Sequence, residues 1–358
     1  MRGGRGPGRV AAGRQGLARL TWAGGLAPTV ARASSPAVGH HHGVRPITTP
    51  EAIVPIRLVA LDIDGTLVGD DLIIGPDSRA AIRAARGRGV IVSIVTGRMV
   101  SSAMRFARVL ELDAPIVGYQ GALIREMPAA GSSRAGRLLV HTPLPAEVAR
   151  EVVIWSRMVG LDPHLNHLER FIVRADDPRA DDYSAFMGSL PDLEHDLVGS
   201  IRHSITKVMA AGVPPLPSEV AGLARERFAG RAEVTVSHPR FLEFVARGVS
   251  KGRAIRWLAR RLGVPLGAVL AIGDQWNDIE MIAEVGHGAA MPTAPAGVLA
   301  AARYIAPPLA EEGVARMIEA LVLASPASAR AAAHRLADEA AAVRAATEGA
   351  QPTEPGQA

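Results

Sequence analysis

The chain reads as a doubly wound α/β fold, a parallel sheet covered by helices, into which a smaller α+β domain is inserted. Three observations predict it. Short apolar runs rich in branched residues alternate with stretches of helical spacing. The alternation breaks off after residue 122 and resumes after residue 246. Acidic or hydroxyl residues stand directly after three of the apolar runs, where a sheet of this kind places its ligand crevice.

Residues 54–61 (VPIRLVAL) predict a buried strand ending at Asp62, followed by a loop, GTLVGDD. Asp77 predicts the cap of a helix running to about residue 86, ended by Gly87 and Gly89, and 90–95 (VIVSIV) a second buried strand. A helix over 100–110 and a short strand over 115–118 complete a β-α-β-α-β series. Beyond the insertion, helical stretches over 251–262 and 276–284 flank a strand over 269–272. Inside it, 138–141, 171–173, 205–210, 232–236 and 241–245 predict strands, and 146–158 and 220–228 helices. The chain thus divides into a leader (1–50), a core (51–122 and 246–325), the insertion (123–245) and a tail (326–358) made of a solvated helix and a disordered end. An insertion at that point is placed to close over the crevice as a cap that selects the substrate.

At 358 residues and 48% hydrophobic content the chain can bury a large core. No run approaches the roughly 20 apolar residues of a membrane-spanning helix. With no cysteine, disulfides and thiolate metal sites are excluded. The net charge of +5 invites a nucleic-acid reading, yet residues 1–50 hold seven arginines and no acid, and without those seven the balance falls to −2. A polyanion therefore has no footprint on the body of the protein. The expectation is a cytoplasmic protein that meets a small metabolite and neither nucleic acid, membrane nor protein partner. The leader reads as an organellar transit segment, as a disordered tail or as the product of a mis-called upstream start, with His40, His41 and His42 as an unstructured tract. Of the 40 basic residues only Lys207 and Lys251 are lysines, which marks both, because an ammonium and a guanidinium are not interchangeable.

Asp62 and Asp64 stand one residue apart where Gly65 opens the strand into a loop, and a divalent cation is the natural way to hold such close like charges. Asp62, Thr96 and Asp274, each at a strand end, are expected to share one crevice. The full run Asp62-Ile63-Asp64-Gly65-Thr66-Leu67 resembles the first motif of the haloacid-dehalogenase-like phosphohydrolases, whose core is Rossmann-like. That resemblance implies an Mg²⁺-dependent phosphatase acting on a small phosphomonoester, such as a sugar or cofactor phosphate, through an aspartyl-phosphate. It makes Asp62 the nucleophile and Asp64 the general acid and base.

The other motifs follow in order. Thr96 in IVTGR resembles the second motif, implying that its hydroxyl and the adjacent N–H groups at Gly97 hold phosphoryl oxygens. Lys251 in GVSKGRAI resembles the third, a cation that offsets phosphoryl charge. Residues 273–278 (GDQWND) resemble the fourth, implying Mg²⁺ on Asp62, the Asp64 carbonyl and Asp274, with Asp278 binding directly or through water and Asn277 reaching the phosphate. The wider pattern is most similar to the Cof-type branch, with two departures. Gln120-Gly121-Ala122 stands where that branch has Asn-Gly-Ala, with Gly121 kept as a phosphate contact, and Leu309-Ala310-Glu311-Glu312-Gly313-Val314 stands where it has Asn-x-x-Asp-Gly-Val. A sugar phosphomutase and a non-catalytic phosphometabolite-binding protein are the alternatives on the same scaffold.

Arg98 is expected to meet an anionic substrate. Lys207 is expected either to face the crevice or to sit on an edge strand. His164 and His167 are spaced for one helical face and read as polar surface residues, and Trp155 and Trp276 read as packing residues.

Overall fold

Fully buried strands need both faces covered, and β1 (Leu58–Leu61) shows how the chain does this. Its Val59 and Leu61 join a cluster with α1 (Pro76–Gly87) and α2 (Val100–Val109), through Ile82, Ala85, Ala103 and Phe106. Its Leu58 and Ala60 join a second cluster with Ile255, Leu258 and Met281 on the opposite face. The described structure, a computed structural model, comprises residues 54–129, 135–177, 180, 190–214, 216–238 and 240–349. Residues 1–50, the His40–His42 tract and the end of the tail lie outside the described residues.

Along the chain, β2 (Ile91–Ile94) follows α1, and β3 (Ile116–Gly118) follows α2. Next come β4 (Leu123–Arg125), β5 (Leu138–His141), α3 (Ala146–Met158), β6 (Asp162–His167), β7 (Arg170–Arg174) and β8 (Asp192–Glu194). Then β9 (Lys207–Ala211), β10 (Ala232–His238) and β11 (Phe241–Ala246) lead back to β12 (Val269–Gly273), β13 (His287–Ala290) and β14 (Tyr304–Ile305). A five-stranded parallel sheet runs in the order β14-β13-β12-β1-β2, and a bridge between Val95 and Val117 brings β3 alongside β2. Strand order reverses around β1, so the strand carrying Asp62 lies at the centre of the doubly wound sheet. The strands of 162–246 form a separate six-stranded sheet, β10-β11-β9-β6-β7-β8, and β3-β4-β5 a small antiparallel one.

Three sequence expectations change. The segment holding His164 and His167 is strand β6, not a helix. Residues three apart on a strand point to opposite faces. His164 is buried beside Asp177, with Nε2 3.5 Å from Oδ2, and burial lowers its basicity below the usual histidine value. Asp77 does not cap α1. Gly75 precedes that helix, and its first N–H groups are capped from the far end of the chain: Glu312 Oε1 and Oε2 accept from Asp77 N at 3.1 Å and Ser78 N at 2.5 Å. Finally, the helix of the tail, Pro326–Gly349, is not wholly solvated. It buries Ala332, Ala333 and Ala340, and Arg344 donates to the Ala302 carbonyl at 2.7 Å. Trp155 packs edge-on against Phe228 and Phe244, whereas Trp276 is 39% exposed. Among the described residues no helix is long and apolar enough to cross a membrane.

Candidate active site

Asp62 leaves β1 with its N–H bonded to the Ile272 carbonyl at 3.0 Å, and the chain turns at once: the Leu67 and Val68 N–H groups both return to the Ile63 carbonyl. Gly65 makes this turn at φ +76°, and a Cβ there would lie 2.3 Å from Asp274 Oδ2. Only glycine lets the first loop pass so close to the carboxylate beyond β12. Thr66 Oγ1 donates to Asp274 Oδ1 at 3.1 Å.

The remaining groups are delivered by helix and turn starts. Ser250 caps the helix Lys251–Leu262, accepting from the Arg253 N–H, and so seats Lys251 in its first turn. Lys251 Nζ, fully buried, bridges Asp62 Oδ1 at 2.8 Å and Asp278 Oδ1 at 2.7 Å. The other oxygen of Asp278 accepts the N–H groups of Asp274 and Gln275, both at 3.1 Å, which closes the 273–278 turn. Asp62, Asp274 and Asp278 each place an oxygen within 4.8 Å of the others.

Charge is unbalanced here. Three buried carboxylates face one ammonium, which would leave an excess of two negative charges with all three ionised. Burial raises the Asp62 carboxyl well above its ordinary value, against the pull of Lys251 and with the push of Asp278 and Asp274. Burial, then Asp278, raises Asp274 to about 7. Burial opposes the Lys251 ammonium, but Asp278 and Asp62 outweigh it and hold the lysine protonated. Hard oxygen donors, no histidine or cysteine and an excess of two negative charges fit one divalent cation.

A cavity opens over Asp62. Its floor is Asp62, Asp64, Thr96, Gly97, Arg98 and Asn277 from the loops of the parallel sheet, and its other wall is Lys207, Met209, Ser237, His238, Phe241 and Glu243 from the six-stranded sheet. Thr96 Oγ1 accepts the Arg98 N–H at 3.2 Å, which folds the phosphate-loop candidate. Lys207 lies on β9, between β11 and β6, so the edge-strand alternative fails; its Nζ reaches the Gly97 carbonyl at 2.8 Å and Glu243 Oε1 at 2.9 Å. Arg98 is turned to Asp64 and grips both of its oxygens. Gly121 is not among the cavity residues. It lies where the chain passes the Ser250 carbonyl.

Apart from Lys207, the wall from the six-stranded sheet escaped the sequence reading. One signal was present: Glu243 interrupts the apolar run of β11 (FLEFVA), and a carboxylate with all neighbours buried needs partners. It has three. Lys207 Nζ and Ser237 Oγ donate to Oε1, the latter at 2.8 Å, and Gln120 Nε2 donates to Oε2 at 2.8 Å.

Comparison with known proteins identifies the family. Residues 59–318 match the family of haloacid dehalogenase-like hydrolases. The HMP-PP phosphatase of Serratia proteamaculans is 31% identical over 66% of this chain and 83% of its own length. The 5-amino-6-(5-phospho-D-ribitylamino)uracil phosphatase YcsE of Bacillus subtilis is 29% identical over 75% of this chain and 97% of its own. A haloacid dehalogenase-like hydrolase from Bacteroides thetaiotaomicron superposes with a TM-score of 0.64 at 26% identity, covering 74% of this chain and 98% of that one. The chain belongs to the haloacid dehalogenase-like hydrolase family, in its Cof-type phosphatase branch.

Proposed function

We propose that the protein is a magnesium-dependent phosphatase that hydrolyses a small phosphomonoester through an aspartyl-phosphate on Asp62. The observation that carries this reading is the Lys251 bridge: a buried ammonium holds Asp62, which lines the cavity, to Asp278 while Asp274 adds a third carboxylate. An Asp62 oxygen attacks phosphorus, and the bond to the leaving oxygen breaks as Asp64 supplies that oxygen with a proton. Asp64 then takes a proton from water, whose oxygen attacks the phosphorus of the aspartyl-phosphate and frees Asp62 and inorganic phosphate. The Thr96 hydroxyl and the Gly97 N–H hold the phosphoryl oxygens, and Lys251 offsets their charge. Asp62, Asp274 and Asp278, with the Asp64 carbonyl, are the residues to hold Mg²⁺, which supplies electrostatic stabilisation of the transferring group when bound. Residues 123–245 act as the cap, with Lys207, Met209 and Phe241 facing the leaving group.

The printed names of the relatives support a small phosphorylated metabolite as the substrate class. The test is turnover of p-nitrophenyl phosphate by the purified protein with Mg²⁺, with EDTA, and with Asp62→Asn. Loss of at least ~10³-fold in the variant is expected for removal of a nucleophile. Turnover that is independent of Mg²⁺ or undiminished in Asp62→Asn overturns the reading.

A further inference from the structure

Gln120 stands between a carboxylate and a second amide. Its Nε2 donates to Glu243 Oε2 at 2.8 Å, and its Oε1 accepts from Asn277 Nδ2 at 2.9 Å. The direction of this chain follows from its charged end. An ionised carboxylate accepts hydrogen bonds and donates none, so Glu243 turns the NH₂ of Gln120 towards itself. Only the carbonyl of Gln120 is then left for Asn277, which must answer with its own NH₂. The two amide orientations are thereby set by chemistry and not by how either amide is drawn. Glu243 is kept an acceptor by Lys207 and Ser237, which both donate to its other oxygen.

The far end of the relay opens on the cavity floor. Asn277 lines it beside Asp62 and Thr96, and its Nδ2, which gives one hydrogen to Gln120, keeps a second N–H to donate to a phosphoryl oxygen. We infer that Gln120 is a positioning residue: it presents the Asn277 amide to the phosphoryl group in one orientation, and takes that orientation from Glu243 on the six-stranded sheet. The inference rests on the phosphatase reading for what occupies the cavity.

Three features fit this role. Gln120 has left-handed backbone angles, φ 60° and ψ 15°, which an unbranched glutamine adopts only under constraint, and its N–H is pinned to the Thr96 carbonyl at 3.0 Å. Gly97 makes room for it, since a Cβ there would lie 2.3 Å from Gln120 Nε2. The length of the side chain also matters: asparagine, a methylene shorter, cannot span Glu243 and Asn277 together. Because Glu243 belongs to β11 and the two amides to loops of the parallel sheet, the relay is complete only while the two sheets meet at the cavity. It therefore couples that meeting to the phosphate contact.

The test is a double-mutant cycle on Gln120→Asn and Asn277→Ala. It is read as KM and kcat for p-nitrophenyl phosphate and as the inhibition constant of inorganic phosphate. Asparagine tolerates the left-handed backbone, so Gln120→Asn shortens the reach without straining the turn. Its KM and phosphate inhibition constant should each rise ~5-fold, the scale of one hydrogen bond. Its kcat should stay within about 2-fold, the pattern of a lost ground-state contact. Added to Asn277→Ala, the change should do nothing further, because its effect passes through Asn277. Multiplying effects in the double variant, or an unchanged KM in Gln120→Asn, overturn the inference. Glu243→Gln is a second route, since an amide there accepts either end of Gln120; it should reproduce the KM rise, and a wild-type KM also overturns the inference. If the wild type turns nothing over, it is the phosphatase reading that has failed. The same cycle, read as calorimetric affinity for inorganic phosphate, then decides the relay.

Discussion

Arg98 holds Asp64 through both carboxylate oxygens, Nε to Oδ2 at 2.7 Å and Nη2 to Oδ1 at 2.5 Å. A carboxyl gripped this way is fixed in direction, and to protonate a leaving group it must free one oxygen from the fork. Lysine keeps the charge but not the two-pronged geometry. Arg98→Lys should therefore lower kcat by ~10-fold, towards the low end of general acid–base effects, with a smaller change in KM. The loss should be larger for an alkyl phosphate than for p-nitrophenyl phosphate, whose leaving group needs little protonation. Steady-state kinetics on both substrates check this, and equal losses on the two would contradict it.

The unbalanced carboxylates make a statement about stability as well as turnover. A cation that binds only the folded chain raises its stability by about 2.7 kcal/mol at a concentration 100 times its dissociation constant. Adding Mg²⁺ to metal-free protein should raise the unfolding temperature, and Asp274→Asn should remove most of that gain. Scanning calorimetry with and without Mg²⁺ measures it independently of any substrate.

Gly65 gives a sharper form of the same experiment. At φ +76° and with its Cβ direction ending 2.3 Å from Asp274 Oδ2, alanine must displace that carboxylate. Gly65→Ala is expected to lose the Mg²⁺-dependent rise in unfolding temperature while all the acidic side chains remain. A full Mg²⁺ response in this variant would show that the close approach is not what seats Asp274.

Away from the site, His287 should dominate acid sensitivity on β13. It is buried, donates from Nε2 to the Val54 carbonyl at 3.2 Å and so accepts the Tyr304 hydroxyl at Nδ1, 3.0 Å away. Burial first, with Arg303 adding repulsion, lowers it to about 4. The unfolded value is about 6.5, so the unfolded chain binds the extra proton between those limits and stability rises with pH across them. Above about 6.5 the effect vanishes; at about pH 5 it should cost roughly 2 kcal/mol. Urea unfolding of wild type and His287→Gln at the two pH values checks this, since only the wild type should show that loss.

Much of the scaffold is legible in the chain because parallel strands are buried on both faces and leave uninterrupted apolar runs, as at β1, β2 and β12. Composition marked both lysines retained among 38 arginines, and the fold sets Lys207 in the cavity wall and Lys251 against Asp62, whereas the sequence left the place of Lys207 open. What escaped reading depends on partners distant in sequence. Strand β6 (DPHLNH) lacks an apolar run because His164 and Asn166 are buried polar residues, so no period marks it. Glu243 looked like one acid in a strand until Lys207, Ser237 and Gln120 closed around it. Glu312 resembled a departure from a motif, and only the folded chain shows it replacing Asp77 as the cap of α1.

That last contact spans 235 residues, and it bears on how the protein comes into being. As the chain leaves the ribosome, β1 acquires β2 early, while its other edge has to wait for β12, which follows the whole of residues 123–245. Until then an apolar strand edge is open to mispairing, and the first helix lacks its anionic lock. Pairings this remote in sequence form slowly. The segment that carries one wall of the cavity is thus also a delay line, and a nascent chain arrested before residue 269 should be a client of chaperones rather than a partial enzyme.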